Sequence, residues 1–295
     1  MRGARPEREL EIALERYGSI LHDERVLVAC SGGPDSVALT AALRSIASRI
    51  NVSLRAGYVN HGTRASAWQD ECVVLQIAAQ LDVPLDVVAL PGHACGEEQM
   101  RIARYDALIE LARRHGCGVI ATAHHAEDQS ETVLLALLRG TGVTGLRGMQ
   151  TRRNLAPNID LARPLLGVAS ERLRAYCHAR TLPYAVDPSN AGSNLRRNAV
   201  REALAALRPL FPGLDAAVAR AAAIARDERD DSLRAQLRRS VREELDREAE
   251  LRDIDFLHVE AAVRALERGR TGTFHMKPGI ALRIQRGIVT GITRE

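Results

Sequence analysis

Between residues 24 and 140, short apolar runs alternate with longer segments in which apolar residues recur every three to four positions. The short runs are typical of buried β-strands, and the longer segments have the period of amphipathic helices. In chain order these segments are RVLVAC, 35–49, SLRAGYVN, 65–81, LDVVAL, 97–115, GVIATAH and 127–139. This order predicts an α/β fold with a doubly wound, mainly parallel sheet, whose ligands bind beyond the carboxyl ends of the strands.

The pattern changes after this region. Residues 140–160 carry four glycines and two arginine clusters with little periodicity, which predicts an irregular loop. Charged helical patterns near 233–245 and 256–268 then precede three short strand patterns, GTFHM, ALRIQ and IVTGI. We therefore predict two domains, a large one over 1–212 and a small, mainly helical one with short strands over 213–295.

Composition excludes some classes of protein. No segment approaches the roughly 20 apolar residues that cross a bilayer, and the N-terminus lacks the apolar core of a signal peptide, so we expect a cytoplasmic protein without membrane contact. Five cysteines without a CxxC pair suggest neither a disulfide framework nor a metal cluster. The net charge of +4 suits an RNA partner without requiring one.

The basic residues are almost all arginine. Lys277 is the only lysine among 41 basic residues, which genomic base composition explains as well as phosphate binding does. In either case, no lysine in the first 276 residues can bind phosphate or form a Schiff base.

The segment after the first apolar run has the composition of a phosphate-binding loop. It comprises Ala29, Ser31, Gly32, Gly33, Pro34, Asp35 and Ser36. A strand, a glycine turn and a helix N-terminus present backbone N–H groups to an anion, and the glycines permit close approach. No Gly-Lys-Ser/Thr follows, so this is not the lysine-bearing loop of kinases. Asp35 suits a Mg²⁺ ion shared with the phosphates, although it also fits a helix cap.

The segment SGGPDS resembles the PP-loop of the ATP pyrophosphatase family, whose members split ATP into AMP and pyrophosphate to adenylate a substrate oxygen. Further segments are similar, in the same order, to those of the tRNA(Ile)-lysidine synthetases. They are VNHGTR (59–64), EEQMRIARYDAL (97–108), ATAHHAEDQSETVLLALLRGTGVTGLRGM (121–149), RPLL (163–166) and DPSN with RRNAVR (187–201). The chain departs from that family at Glu127, where aspartate is usual, and in its short C-terminal region.

The resemblance implies ATP-dependent ligation of free L-lysine to C2 of the wobble cytidine of tRNA(Ile) with a CAU anticodon. The cytidine oxygen attacks the α-phosphate of ATP and pyrophosphate leaves, after which the lysine amine displaces AMP. ATP and Mg²⁺ are the implied cofactors, and tRNA(Ile) and lysine are the implied partners. The family also suggests a homodimer, with the second domain contacting tRNA or the partner subunit.

The amine of free lysine has a pKa of about 10.4, so it has to lose a proton before it attacks. Asp128 and Glu131 lie three residues apart on the helix that begins near Glu127, so they share a face on which an ammonium can bind or lose its proton. The alternative for both is a solvated acidic helix start that complements the helix dipole.

Other candidates lie at strand ends or on arginine-bearing helices. We assign Asp35, Asp128, Glu131, Arg104 and Arg201 to catalysis, and His61, His124 and Gly140 join the loop in nucleotide binding. Arg64, Arg163, Arg197, Asn198 and Arg201 are assigned to phosphate or tRNA. His124 and His125 fit packing roles equally well, and Arg101, Arg196 and Arg208 fit a solvated helix face.

Three alternatives remain open. A tRNA thiolase of the same fold would need reactive cysteines, for which Cys95 and Cys177 form the only loosely plausible pair. A regulatory protein would bind ATP without turnover. An amidotransferase-type synthetase would share the loop but not the downstream segments.

Overall fold

A computed structural model describes residues 6–16, 21, 24–60, 67–90, 96–141, 145–185, 195–227, 236–238, 240, 241, 245, 256–277, 280–286 and 288–294. The chain forms two compact units. The first comprises Met1–Leu135 with Gly148–Ala219, and the second comprises Ala136–Arg147 with Arg220–Glu295. The assignment of 1–212 and 213–295 to separate domains stays a prediction.

Helices and strands alternate through most of the first unit, and the elements of both units are numbered here in chain order. The helices are α1 (Pro6–Arg16), α2 (Pro34–Ile46), α3 (Ala67–Leu81), α4 (Glu97–Arg114), α5 (Ala126–Leu138), α6 (Ser170–Ala179), α7 (Leu195–Leu207), α8 (Leu214–Asp227) and α9 (Phe256–Glu267). The strands are β1 (Arg25–Ala29), β2 (Ser53–Asn60), β3 (Leu85–Ala89), β4 (Val119–Ala121), β5 (Arg152–Ala156), β6 (Ile159–Ala162), β7 (Gly272–Lys277), β8 (Ile280–Gln285) and β9 (Ile288–Arg294).

The central sheet has the order β3-β2-β1-β4-β6-β5 and confirms the predicted α/β class. Every neighbouring pair is parallel except β5 with β6. Val26, Leu27 and Val28 of β1 are fully buried, as expected for a strand covered by helices on both faces. The chain leaves β1 towards β2 on one side, and β4 lies on the other. The crevice between β1 and β4 is therefore the topological switch point, where ligands of such sheets bind.

Helices cover the two faces of this sheet. On one face, Leu10 of α1, Leu43 of α2 and Leu173 of α6 share a buried core with β1. On the other, Leu108 and Leu111 of α4 pack with residues of β1, β4 and β6. Because these contacts fix α2 against β1, the described loop between β1 and α2 has a defined position at the carboxyl end of the strand.

The prediction of an irregular loop over 140–160 is wrong for its second half. Residues 152–156 and 159–162 form the antiparallel hairpin of β5 and β6. The turn lies at Pro157 and Asn158, and Asn158 adopts a φ of 62°. The hairpin escaped the pattern analysis because arginine and asparagine interrupt its apolar residues, although a Pro-Asn pair between short apolar runs is a turn signal.

The second unit contains a small antiparallel sheet in the order β7-β8-β9. Val263 and Leu266 of α9 share a buried core with Met276, Leu282 and Ile284 of the sheet. Helix α9 ends before Gly269, whose φ is 60°, so the predicted helix stop and the three predicted strands are confirmed. Much of the predicted helix near 233–245 lies outside the described residues. Within the described part of the chain, no helix is long and apolar enough to span a bilayer.

Candidate active site

The loop between β1 and α2 is held by its own serines. The Ser31 N–H donates to Ser36 Oγ across 3.1 Å, and the two hydroxyl oxygens lie 3.2 Å apart. Ser36 Oγ in turn donates to the carbonyl of Gly33 at 3.0 Å. Gly33 is the N-cap of α2, and no side chain caps this helix. Among the described residues no side chain occupies the N–H groups of this helix start, and their binding of an anion stays a prediction.

Gly32 gives the loop its shape. Its φ is 85°, and a Cβ atom there would lie 3.2 Å from both Asp70 O and Val74 Cγ2 of α3. Its carbonyl accepts from the N–H of Ala185 at 2.9 Å, which ties the loop to the segment after α6. Only glycine meets the backbone angle and the contact with α3 without strain.

Asp35 lies at the start of α2, but it is not a helix cap. Its Oδ1 is buried and has no hydrogen-bond partner among the described residues. Burial raises the pKa of this carboxyl group, the charges of His125 and Arg174 lower it, and those of Asp128 and Glu127 raise it further. A buried oxygen without a donor fits a ligand of a hard cation. Among the described residues, however, no cluster of three or more ligating side chains could hold a metal, so phosphate oxygens would have to complete the shell.

His125, in the loop between β4 and α5, lies among three carboxylates. Its Nε2 is 3.6 Å from Asp35 Oδ2 and 3.5 Å from Asp128 Oδ2, and its Nδ1 is 2.9 Å from Glu127 Oε2. The last contact is an ion pair. Burial lowers the pKa of His125, but the carboxylates outweigh it and raise the pKa to about 9. His125 is therefore an imidazolium at neutral pH.

Glu127 links this histidine to α6. Its carboxylate accepts from the Ser170 N–H at 3.0 Å and from Ser170 Oγ at 2.9 Å, so it caps the N-terminus of α6. Burial raises the pKa of Glu127, but His125 and the Ser170 N–H lower it to about 2. The extra methylene relative to aspartate gives Glu127 the reach to contact both residues.

Asp128 and Glu131 both lie on the first turns of α5. Asp128 Oδ2 accepts from the His125 N–H at 3.0 Å, so this carboxylate closes the helix start. Glu131 is only 8% exposed, and its Oε1 accepts from Arg201 Nε of α7 at 2.7 Å. Glu131 is thus a buried ion-pair partner and not the solvated residue of the alternative interpretation.

His124 differs sharply from its neighbour. Its Nδ1 lies 2.9 Å from Thr122 Oγ1. Burial and the charges of Arg163 and Arg104 lower its pKa to about 4, although Asp128 opposes them. His124 is therefore neutral at neutral pH and can donate or accept one hydrogen bond at its other ring nitrogen.

Arg163 is a buried cation, with 6% of its surface exposed. One terminal nitrogen donates to the Gln150 carbonyl at 2.8 Å, while its Nε is buried without a partner. Burial lowers its pKa, and the charges of Arg153 and Arg101 add to this effect. A buried guanidinium with an unsatisfied N–H is suited to bind an anion.

The structure brings Asp35, His125 and Asp128 together, and it pairs Glu131 with Arg201. His61 and Arg64 lie outside the described residues. The roles of the remaining candidates stay predictions. Arg104 lies on α4, Arg197 and Asn198 lie on α7, and Gly140 lies in the turn that ends α5.

Two residues of α6 were missed by the sequence analysis. Ser170 holds Glu127, and the charge of Arg174 reaches Asp35. Neither residue belongs to a motif that indicates binding or catalysis, and their proximity to the site depends on how α6 packs.

The fold and the loop define a doubly wound α/β protein with a glycine-containing loop and a helix start at its switch point. The sequence profile of the PP-loop domain matches residues 6–207, which is more than half of the chain. The chain belongs to the PP-loop domain family.

Several curated relatives are similar in sequence to about two thirds of the chain. A tRNA(Ile)-lysidine synthase of Symbiobacterium thermophilum is 39% identical over 204 residues, which are 66% of this chain and 42% of that protein. A tRNA(Ile)-lysidine synthase of Salinispora arenicola is 44% identical over 197 residues, 64% of this chain and 58% of that protein. The chain spans about half the length of the curated relatives it matches.

A solved structure shows the same fold. The U34-tRNA thiolase NcsA from Methanococcus maripaludis, described with its 4Fe-4S cluster, superposes with a TM-score of 0.64 at 17% identity. The match covers 73% of this chain and 76% of that chain. At this identity the likeness is one of fold alone.

Proposed function

We propose that this protein is an AMP-forming ligase that joins free L-lysine to C2 of the wobble cytidine of tRNA(Ile) with a CAU anticodon, giving lysidine. The observation that carries the proposal is the contact of Asp35, at the phosphate loop, and Asp128, on the acidic helix, with the same nitrogen of His125. Nucleotide activation and amine handling would thus share one crevice. The relatives that carry the name tRNA(Ile)-lysidine synthase support the choice of substrate.

In the first step, the loop amides and serines hold the triphosphate of ATP. The cytidine O2 attacks the α-phosphate, and the bond to pyrophosphate breaks. Asp35 would hold a Mg²⁺ ion, which supplies charge neutralisation for the phosphates when bound. The imidazolium of His125 keeps positive charge beside the carboxylates, which reduces their repulsion of the nucleotide.

In the second step, the lysine amine attacks C2 of the adenylated cytidine, and AMP leaves with the former O2. The ammonium first has to lose a proton, and Asp128 and Glu131 are the carboxylates that we assign to its binding and deprotonation. Glu131 is buried beside the partly exposed Arg201, and its burial strengthens the charge interactions of its carboxylate.

Arginines would hold the RNA. Arg163 and Arg104 act on His124 electrostatically, and Arg197, Asn198 and Arg201 share about one turn of α7. We assign these residues to the phosphates of the anticodon loop or of ATP. Residues 213–295 are assigned to tRNA contact or dimerisation, in a cytoplasmic protein.

The test is incorporation of labelled lysine into a tRNA(Ile) transcript with a CAU anticodon, using ATP and Mg²⁺. A methionine tRNA with the same anticodon is the matched control. Incorporation into the isoleucine transcript alone is expected. A folded protein that binds ATP but incorporates no lysine would overturn the substrate assignment. That outcome would favour the thiolase or the amidotransferase-type synthetase.

The thiolase alternative makes a separate prediction about cysteine. Burial, followed by the charge of Asp35, raises the pKa of Cys177 to about 12, so its thiol is protonated and a poor sulfur carrier. Cys95, its proposed partner, lies outside the described residues. Replacement of all five cysteines should leave lysine incorporation intact, whereas loss of activity in a folded cysteine-free protein would favour the thiolase.

A further inference from the structure

One face of α6 runs along the candidate site. Ser170, at the start of the helix, donates to Glu127, and Cys177 Sγ lies 3.4 Å from the carbonyl of Pro34, the first residue of α2. These two contacts hold the start and the end of this helix face against residues of the candidate site. Residues at i, i+4 and i+7 lie on the same side of a helix, so Arg174 lies on this face between the two contacts.

Arg174 is exposed, and it forms no ion pair with a carboxylate among the described residues. Its charge nevertheless acts on Asp35. The other arginines on α6 and at its end point elsewhere: Arg172 lies 3.8 Å from Glu9 of α1, and Arg180 lies 3.7 Å from Glu11.

Carboxylates crowd the loop end of the crevice. Asp35 and Asp128 lie within 3.6 Å of one nitrogen of His125, and Glu127 lies 2.9 Å from the other. A triphosphate adds further negative charge, and no lysine occurs in the first 276 residues. Arginine is therefore the side chain that has to supply cationic hydrogen-bond donors here.

We propose that Arg174 is a phosphate-binding residue, whose guanidinium closes over the phosphates held by the loop. The inference rests on the proposed function as far as the site binds ATP, but not on lysine or tRNA as substrates. It adds a cation from α6 to the amide donors of α2. The same helix is already tied to the site by Ser170 and Cys177, so the backbone of Arg174 is held on the face that runs along the site.

The test compares Arg174→Ala with Arg172→Ala, which removes another exposed arginine of α6 that lies 3.8 Å from Glu9 of α1. Affinity for ATP is measured by calorimetric titration of the full chain in the presence of Mg²⁺, and inorganic pyrophosphate is used as a competitor. Loss of a charged hydrogen bond should weaken ATP and pyrophosphate binding by about tenfold to a hundredfold in the Arg174 variant. The Arg172 variant should bind as the wild type does.

Arg174→Lys separates charge from geometry, and it should recover part of the affinity because it keeps the charge without the planar fork. Thermal unfolding without ligand should be the same for all three variants. Undiminished ATP binding by Arg174→Ala, or an equal loss in Arg172→Ala, would overturn the inference. A wild-type chain that binds ATP but incorporates no lysine refutes the proposed substrate and leaves Arg174 standing, whereas one that binds no ATP refutes both.

Discussion

Arg201 Nε donates to Oε1 of the buried Glu131 across 2.7 Å. The carboxylate that we assign to lysine therefore has a cationic partner before any substrate arrives. An incoming ammonium has to share the Glu131 carboxylate with this guanidinium. Arg201 Nε donates to one oxygen of that carboxylate, Oε1. The ion pair orients the carboxylate in advance, but the positive charge of Arg201 offsets part of the attraction between Glu131 and an ammonium.

We expect Glu131→Gln to raise the KM for lysine about tenfold, because the ammonium loses a charged acceptor. Pyrophosphate release from ATP in the presence of tRNA should persist, since the first step does not involve the amine. Steady-state assays of the two steps measure the split. The control is Asp215→Asn, which breaks a comparable ion pair with Arg208 at 2.9 Å. An unchanged KM for lysine, or an equal rise in the control, contradicts the role of Glu131.

Substitution of Asp35 should affect thermal stability and activity in different ways. Its buried Oδ1 has no donor, so the charge is unfavourable to the fold and Asp35→Asn should unfold at the same temperature as the wild type or a higher one. Pyrophosphate release should fall by about a hundredfold or more, because the carboxylate no longer supports phosphate charge. Asp82→Asn is the control, since Asp82 is 98% exposed. A fully active Asp35→Asn protein would show that the carboxylate has no part in the reaction.

The two loop glycines should respond differently to alanine. At Gly32, positive φ costs about 1–2 kcal/mol for a residue with a Cβ, and the contact with Asp70 O adds strain. At Gly33, φ is −71° and the nearest atom to a new Cβ is Ser31 Oγ at 3.7 Å. Urea unfolding should show a loss in Gly32→Ala alone, whereas ATP titration should show weaker binding in both. Equal stability of the two variants would contradict this account of the loop.

The sequence predicted β1, β2, β3 and β4 because each is a short, mainly apolar segment bounded by turn residues, although Arg55 interrupts β2 and Asp86 interrupts β3. It also predicted that SGGPDS and HHAEDQ lie at strand ends. It could not predict that β4 lies beside β1, and that adjacency brings His125 to Asp35 across 90 positions of sequence. Strand order depends on packing between distant elements, which local periodicity does not encode.

The contribution of α6 was hidden for a similar reason. Arg174 resembles any solvated helical arginine in the sequence, and its position follows only from the contacts of Ser170 and Cys177 on either side. The departure at Glu127 was visible in the sequence, but its consequence was not. The longer side chain reaches two partners, Ser170 and His125, whose proximity depends on the fold.

His125 gives stability a pH dependence whose sign can be stated. Its pKa rises from 6.5 to about 9 on folding, so its charge stabilises the fold fully below pH 6.5, and this contribution is lost as pH rises through about 9. Glu127 has the opposite shift, from 4.5 to about 2, so its contribution is present above pH 4.5 and is lost only as pH falls through about 2. Of these two groups, only His125 therefore contributes a slope between pH 6.5 and 9.

We expect His125→Asn to remove this slope, because asparagine keeps polarity but cannot be protonated. Thermal unfolding of both proteins, measured from pH 6.5 to pH 9, should show a difference in melting temperature that is largest at the acid end and shrinks towards the alkaline end. The difference between the proteins isolates His125 from other groups that titrate in this range. A difference that stays constant with pH would mean that the three carboxylates around His125 do not hold it as a cation in the folded state.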